Sequence, residues 1–138
     1  KLIIENNEKY LSIKNLKKLA RLPNVTIGAH SFSHISLTDC DDSKLKIELT
    51  KSKEWLEDKL SIQINSMSYP HGAVDQRVKN AVSKAGYKFA LSSNFGSFSF
   101  DDDLLNVSRT DIWAYDNLTR FKKKINGYWD WLGSNKNV

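Results

Sequence analysis

The 138-residue chain is 40% hydrophobic and contains six Phe, five Tyr and four Trp, which is enough for one domain with a packed core. Cys40 is the only cysteine, which excludes an internal disulfide, and no stretch approaches the ~18 consecutive apolar residues of a transmembrane helix. The net charge of +5 reflects lysines scattered over predicted helix faces without a recognisable nucleic-acid-binding motif, so we expect no membrane span and no nucleic-acid partner.

The predicted elements alternate between helices and strands. In chain order they are a helix over 13–20 capped by Ser12, a strand over 25–29, a helix from Asp42 or Ser43 to residue 59, a strand over 62–69, a helix from Asp75 to residue 85, strands over 87–92 and 104–112, and a last helix that begins at Asp116 or Asn117. Strands joined by helices predict a parallel sheet. Four such strands leave two unpaired edges and amount to about half of a closed barrel.

Two histidines follow the predicted strand over 25–29. His30 and His34 are four residues apart, so a helical turn after Ala29 would place both imidazoles on one side. Parallel α/β folds place their chemistry at the carboxyl ends of strands, and neutral imidazole is a common zinc ligand. The pair therefore indicates a metal site, with surface histidines on a polar loop as the alternative. The zincin pattern is excluded, because Ser31 stands where that pattern requires glutamate.

Two motifs in this chain resemble those of the polysaccharide deacetylase family. Residues 27–34, together with the preceding helix over 11–19, resemble the family's histidine motif. Ser68-Tyr69-Pro70-His71-Gly72 resembles the family's third motif in its Tyr-Pro-Tyr-Gly form. Residues 85–90 and 107–111 are similar to later segments of the family, so the resemblance covers nearly the whole chain.

The resemblance implies an α/β fold, an incomplete and distorted (β/α) barrel of the polysaccharide deacetylase type. It would be a single catalytic domain over residues 1–138, partial at its N-terminus. The implied activity is metal-dependent removal of N-acetyl groups from an amino-sugar polysaccharide or oligosaccharide. The implied cofactor is a divalent metal, zinc by expectation, held in the family by one aspartate and two histidines, and His30 and His34 match the two histidines.

The resemblance also assigns roles to residues around the metal. The backbone N–H of His71 would stabilise the oxyanion. The His71 side chain is a candidate acid on its own position in the sequence, with an ordinary turn residue as the alternative. Arg109 would orient the base, because Ser68 stands where the family often carries arginine; an exposed strand end is the alternative reading of Arg109. Ser31 would brace the histidine loop, and Tyr69, Pro70 and Gly72 would contact substrate. Apart from the resemblance, Trp113 follows Arg109 closely and could stack on a sugar ring, with a core position as the alternative.

Two of the family's motifs have no counterpart in this sequence. The first motif, Thr-Phe-Asp-Asp, supplies the metal-binding aspartate and the general base, and nothing in residues 1–23 resembles it. The Leu-x-His motif that carries the general acid is also absent. We therefore expect this chain alone to be inactive.

Two other functions are compatible with the same scaffold, a non-catalytic glycan-binding or structural domain and a metal hydrolase of another substrate. The open sheet edges would allow self-association. A bacterial cell envelope location and a role in cytoplasmic glycan assembly both remain open.

Overall fold

Four helices and three short strands make up the part of the chain that the structure describes, a computed structural model of residues 10–99 and 101–129. They are α1 (Ile13–Ala20), α2 (Asp42–Leu60), β1 (Ser66–Ser68), α3 (Gln76–Lys84), β2 (Phe89–Phe95), β3 (Val107–Arg109) and α4 (Leu118–Ile125). Two 3-10 turns lie at Leu37–Asp39 and Pro70–Gly72. Within the described ranges no helix has the length and apolar character needed to cross a bilayer.

Each helix begins after a side chain that accepts a hydrogen bond from a backbone N–H of the first turn. The four capping residues are Ser12, Asp41, Asp75 and Asn117. Three of them are caps that the sequence predicts. Helix α2 begins differently, because Asp41 accepts the Lys44 N–H at 2.7 Å and so displaces the predicted caps Asp42 and Ser43. Such a cap is typically worth about 1 kcal/mol.

The three strands form a parallel sheet in the order β1-β2-β3. Ala29 extends the sheet beside β1 as an isolated parallel bridge to Met67, through hydrogen bonds of 2.9 Å from Ala29 N–H to the Ser66 carbonyl and from Ser68 N–H to the Ala29 carbonyl. The predicted strand over 25–29 is therefore wrong in extent. No described strand pairs with the other side of this segment, so a continuous ladder does not form. The sheet is open, as expected for an incomplete barrel.

The core lies between the sheet and the inner faces of α2 and α3. Its helical part comprises Leu45 and Leu49 of α2 and Val78 and Val82 of α3, which pack with residues of the sheet such as Met67. The same face of α2 also carries a charged residue. Glu48 is only 1% exposed, and this burial is explained by the histidine loop described below.

Gly72 occupies a position that no other residue fits. Its φ is +68°, and a Cβ there would lie 2.4 Å from both Cβ and Oγ of Ser93 on β2. Gly86 has a similar φ of +81°, but a Cβ there would meet only Lys53 Cε at 3.9 Å. The two glycines therefore share a backbone conformation, but only Gly86 has room for a side chain.

We expect Gly72→Ala to lower the free energy of unfolding by about 2–3 kcal/mol, because it combines backbone strain with overlap. Gly86→Ala, the matched control, carries the strain alone and should cost about 1 kcal/mol. Urea denaturation of both variants measures the difference. Equal losses would show that the Pro70–Gly72 turn is not packed on Ser93 as described.

Candidate active site

Three imidazoles meet at the carboxyl ends of the parallel strands. His30 follows Ala29, and His71 lies in the turn that follows β1. The ring centroids of His30 and His34 are 4.8 Å apart, and those of His34 and His71 are 4.9 Å apart, with both pairs edge to face. The structure therefore brings together His30 and His34, the two predicted ligands, and adds His71 beside them.

The histidine loop, residues 30–34, is not the helical turn that the spacing suggests. Ser31 and His34 both adopt left-handed backbone conformations, with φ of 60° and 58°. The two rings converge because these residues reverse the chain, and the Ser31 hydroxyl accepts a hydrogen bond from the His34 N–H at 3.0 Å. This contact is the brace that the family resemblance implies for Ser31.

His30 is oriented by Ser68 at the end of β1. Its Nδ1 lies 2.8 Å from the Ser68 carbonyl oxygen and 2.8 Å from the Ser68 hydroxyl. A carbonyl can only accept, so Nδ1 carries a proton, and in the neutral ring Nε2 then carries the free lone pair. A backbone carbonyl that holds the second nitrogen is the usual arrangement around metal-bound histidines.

The donor set fits part of a zinc site. Two neighbouring imidazoles, one with its tautomer fixed, suit two of the four positions that zinc normally fills. Among the described residues, no three His, Cys, Asp or Glu side chains are arranged so that they could hold an ion. The structure thus provides candidate donors for a metal without a complete protein ligand set.

The turn at Pro70–Gly72 presents a free backbone donor next to the rings. His71 has a φ of 57°, and in the described part of the chain its N–H has no hydrogen-bond acceptor. The neighbouring Gly72 N–H and Ala73 N–H are already used within the turn. The His71 N–H is therefore available to an external acceptor such as a developing oxyanion.

Tyr69 and Pro70 lie beneath the site rather than on its surface, which corrects the expectation that their side chains line a substrate groove. Tyr69 is 1% exposed, and its hydroxyl donates a hydrogen bond of 2.7 Å to the Leu105 carbonyl. Burial, with a smaller contribution from the charge of Asp103, raises the pKa of this phenol. The two side chains support the turn that carries His71.

Arg109 and Trp113 lie near the end of β3. The Arg109 Nε donates to the Ser92 carbonyl at 2.6 Å, and its Nη2 donates to the Ser93 hydroxyl at 3.3 Å. Both hydrogen bonds hold the guanidinium on β2, and neither partner is a histidine. Trp113 is 53% exposed and stacks on Tyr115 with ring centroids 6.0 Å apart. Within the described residues, its ring therefore lies at the surface.

Glu48 is a residue beneath the site that the sequence interpretation missed. Its Oε2 accepts hydrogen bonds from the N–H groups of Phe32 at 3.0 Å and Ser33 at 2.8 Å, and its Oε1 accepts one from the Ser33 hydroxyl at 2.6 Å. A signal was present, because position 48 is three residues after Leu45 and four before Ser52, both buried on the same face. A carboxylate within that stripe needs hydrogen-bond donors from elsewhere in the fold.

These hydrogen bonds shift the titration of Glu48. Burial alone would raise the pKa of its carboxyl, but the hydrogen bonds from Ser33 and Phe32, helped by the charge of Lys44, bring the pKa below its ordinary value of 4.5. The folded chain therefore binds this proton less tightly than the unfolded chain. The resulting stability is present above about pH 4.5 and is lost as the pH falls through the folded pKa.

We expect the free energy of unfolding to fall more steeply below about pH 4.5 in the wild type than in Glu48→Gln, which has no carboxylate to protonate. Denaturant unfolding at a series of pH values measures the two slopes. Glu54→Gln, which changes an exposed residue of the same helix, should follow the wild type. Identical slopes for wild type and Glu48→Gln would contradict the described environment.

A cavity of about 320 Å³ opens beside the histidine loop. His30, Ser31 and Phe32 line one side, and Ser52, Trp55 and Leu56 of α2 line the other. A larger groove of about 670 Å³ lies between α2 and α3, but no residue of the histidine loop or of the Pro70–Gly72 turn lines it. Of these two cavities, the smaller one adjoins the histidine loop.

Comparisons with known proteins relate the chain to a family and to solved structures. The model of the family described as polysaccharide deacetylase matches residues 3–90. YxkH of Bacillus subtilis strain 168, whose name places it among polysaccharide deacetylases, is 22% identical over 103 residues, which are 75% of this chain. Among solved structures, the polysaccharide deacetylase BC0361 of Bacillus cereus is 26% identical over 87% of the chain, with a TM-score of 0.77.

The deacetylase PplD of Streptococcus pyogenes, solved in complex with acetate, shares the fold at 20% identity and a TM-score of 0.77 over 83% of the chain. These similarities confirm the expected α/β fold of the polysaccharide deacetylase type. The chain spans only part of each relative, namely 37% of YxkH, 38% of BC0361 and 50% of PplD.

Proposed function

The chain belongs to the polysaccharide deacetylase family, and on that basis we propose that it forms part of a metal-dependent hydrolase that removes N-acetyl groups from an amino-sugar glycan. The observation that carries the proposal is the 4.8 Å approach of the His30 and His34 rings at the carboxyl ends of parallel strands. In the proposal, residues 1–138 are a single catalytic domain that is partial at its N-terminus.

His30 and His34 would hold a divalent metal, zinc by preference. The Ser68 carbonyl supports this assignment for His30, because it fixes the tautomer in which Nε2 is free to bind. When bound, zinc supplies Lewis acidity toward the amide carbonyl and lowers the pKa of water to near neutrality. Two imidazoles leave further coordination positions for other ligands.

The His71 N–H would donate to the oxyanion that forms when water attacks the amide. One such donor is typically worth about 3 kcal/mol of transition-state stabilisation. The exposed imidazole of His71 would lie close enough to the reaction to protonate the leaving amine, since its ring adjoins that of His34. Gly72 would keep this turn close to β2, because a side chain there would overlap Ser93.

Arg109 and the aromatic pair would contribute at the edge of the site. Arg109, whose Nε donates to the Ser92 carbonyl, would place a positive charge on the β3 side of the site. This charge would orient a base supplied by other polypeptide. The exposed face of Trp113 would stack on a sugar ring. An N-acetylated amino-sugar polymer or oligomer would suit this site. Its N-acetyl group is the amide to be hydrolysed, and its sugar ring would stack on the exposed tryptophan.

A general base and the remaining metal ligand would come from polypeptide outside these 138 residues, because nothing in residues 1–23 resembles the family's Thr-Phe-Asp-Asp motif. Glu48 does not qualify, because it is buried and its oxygens already accept three hydrogen bonds from the histidine loop. We therefore propose that the 138-residue chain alone does not turn over substrate.

The test is acetate release from N-acetylated chito-oligosaccharides by the full-length protein that the native gene encodes, with and without a chelator. We expect zinc-dependent release by the full-length protein and none by the 138 residues alone. Turnover by these 138 residues alone would refute the proposal that other polypeptide supplies the general base and the remaining metal ligand. Oligosaccharide binding without acetate release would favour a non-catalytic glycan-binding domain.

A further inference from the structure

The hydrogen bonds of the buried Glu48 carboxylate all come from the histidine loop. The residue lies on the core face of α2 between Leu45 and Leu49 and is 1% exposed. A carboxylate at such depth is costly unless hydrogen bonds replace its water. All three of its hydrogen bonds come from Phe32 and Ser33, which lie between the two histidines.

The Lys44 ammonium, 3.7 Å away and half exposed, is the other described charge beside Glu48. Its charge lowers the pKa of Glu48 less than the hydrogen bonds from Ser33 and Phe32 do. The loop therefore supplies all three hydrogen bonds that compensate for burying the carboxylate.

The histidine loop needs such a support. Ser31 and His34 both have positive φ values, a conformation that costs an L residue roughly 1–2 kcal/mol. The loop has no helix or strand hydrogen bonds of its own, and its internal contact is the single bond from His34 N–H to the Ser31 hydroxyl. Glu48 ties the middle of this strained loop to α2, the longest described helix.

We propose that Glu48 is a positioning residue that fixes the histidine loop so that His30 and His34 can bind one metal ion. The inference rests on the proposed function only for the identity of what the rings bind. Glu48 acts through the shape and reach of its carboxylate, which accepts from two adjacent backbone N–H groups and a hydroxyl at once. In this proposal, the negative charge of Glu48 is not what holds the histidine loop in place.

Two substitutions at position 48 separate the effect of side-chain length from the effect of its negative charge. Glu48→Gln removes the charge but keeps the length, because its amide oxygen can accept from Phe32 N–H and Ser33 N–H while its NH₂ donates to the Ser33 hydroxyl. Glu48→Asp keeps the charge but withdraws the carboxylate by one methylene. The matched controls are Glu57→Gln and Glu57→Asp, because Glu57 on the same helix also accepts a backbone N–H, from Ile64 at 2.9 Å, away from the histidines.

Zinc affinity of the full-length protein, measured by calorimetric titration, is the first readout. We expect Glu48→Asp to weaken zinc binding by about 10–100-fold and Glu48→Gln by about threefold or less, as for other groups that orient metal ligands. Both Glu57 variants should bind zinc as the wild type does. The reverse order, with Gln weaker than Asp, would mean that charge matters and would overturn the proposal, as would equal affinities in all variants.

The second readout needs no metal. Nuclear Overhauser contacts between the ring protons of His30 and His34 in the metal-free protein report whether the loop keeps its shape. We expect these contacts in the wild type, in Glu48→Gln and in both Glu57 variants, and their loss in Glu48→Asp. If the wild type fails to bind zinc, the proposed metal site fails, while the ring contacts still decide the role of Glu48. Retention of these contacts in Glu48→Asp would overturn that role.

Discussion

Replacing either His30 or His34 with alanine should lower kcat/KM for deacetylation by the full-length protein at least about 100-fold. The reason is that each imidazole would supply one of the metal ligands, and one remaining imidazole binds zinc too weakly to keep the site loaded. Zinc content after dialysis, measured beside acetate release, should fall in both variants.

His71→Ala is the matched control, since His71 is the third imidazole of the same row. This variant keeps the backbone N–H at position 71, so we expect it to retain zinc and to lose activity only through its side chain. Loss of zinc from His71→Ala, together with retention by His30→Ala, would show that the ligands have been assigned to the wrong rings.

Leu45→Ala should lower the free energy of unfolding by about 3–4 kcal/mol. Leu45 is 1% exposed on the inner face of α2 and lies three residues before Glu48. Deleting its side chain leaves a cavity beneath the helix that supports the histidine loop. Chemical denaturation monitored by tryptophan fluorescence and by circular dichroism would give the change and test whether unfolding remains two-state.

Ile47→Ala on the same helix is the control for Leu45→Ala. Ile47 is 42% exposed, so its truncation removes less buried apolar surface and should cost about 1 kcal/mol or less. Comparable losses from the two variants would mean that α2 does not pack on the sheet through the face described. A small loss from Leu45→Ala would mean the same.

Local signals in the sequence predict the helices well. Ser12, Asp75 and Asn117 cap their helices, because a side-chain oxygen followed by a run of helical periodicity is a short-range pattern. Strand lengths are predicted less well. The segment over 25–29 has β-branched residues but contributes one bridge, because pairing depends on a neighbouring strand that the local sequence does not specify.

The proximity of His30 and His34 follows from the sequence, but by a different route from the one that periodicity suggests. A helix would align them at four-residue spacing, whereas the structure uses two positive-φ residues and a carboxylate from α2. The contact between Ser33 and Glu48 joins positions 15 residues apart, and the contact between His30 and Ser68 joins positions 38 residues apart. Tertiary hydrogen bonds of this kind leave no local pattern.

The burial of Tyr69 was missed for a similar reason. A tyrosine beside Pro70 in a motif resembles a substrate contact, but its hydroxyl finds the Leu105 carbonyl, 36 residues later in the chain. A buried tyrosine needs such a partner, and the sequence does not identify it. The motif residue that remains at the surface is His71.

The location of bound zinc tests the central claim most directly. Crystals of the full-length protein grown with zinc, with diffraction data collected on both sides of the zinc absorption edge, show where the metal binds. We predict one anomalous peak about 2.0–2.1 Å from a ring nitrogen of both His30 and His34. Absence of a peak at these rings, or a peak bound by other side chains, would contradict the account.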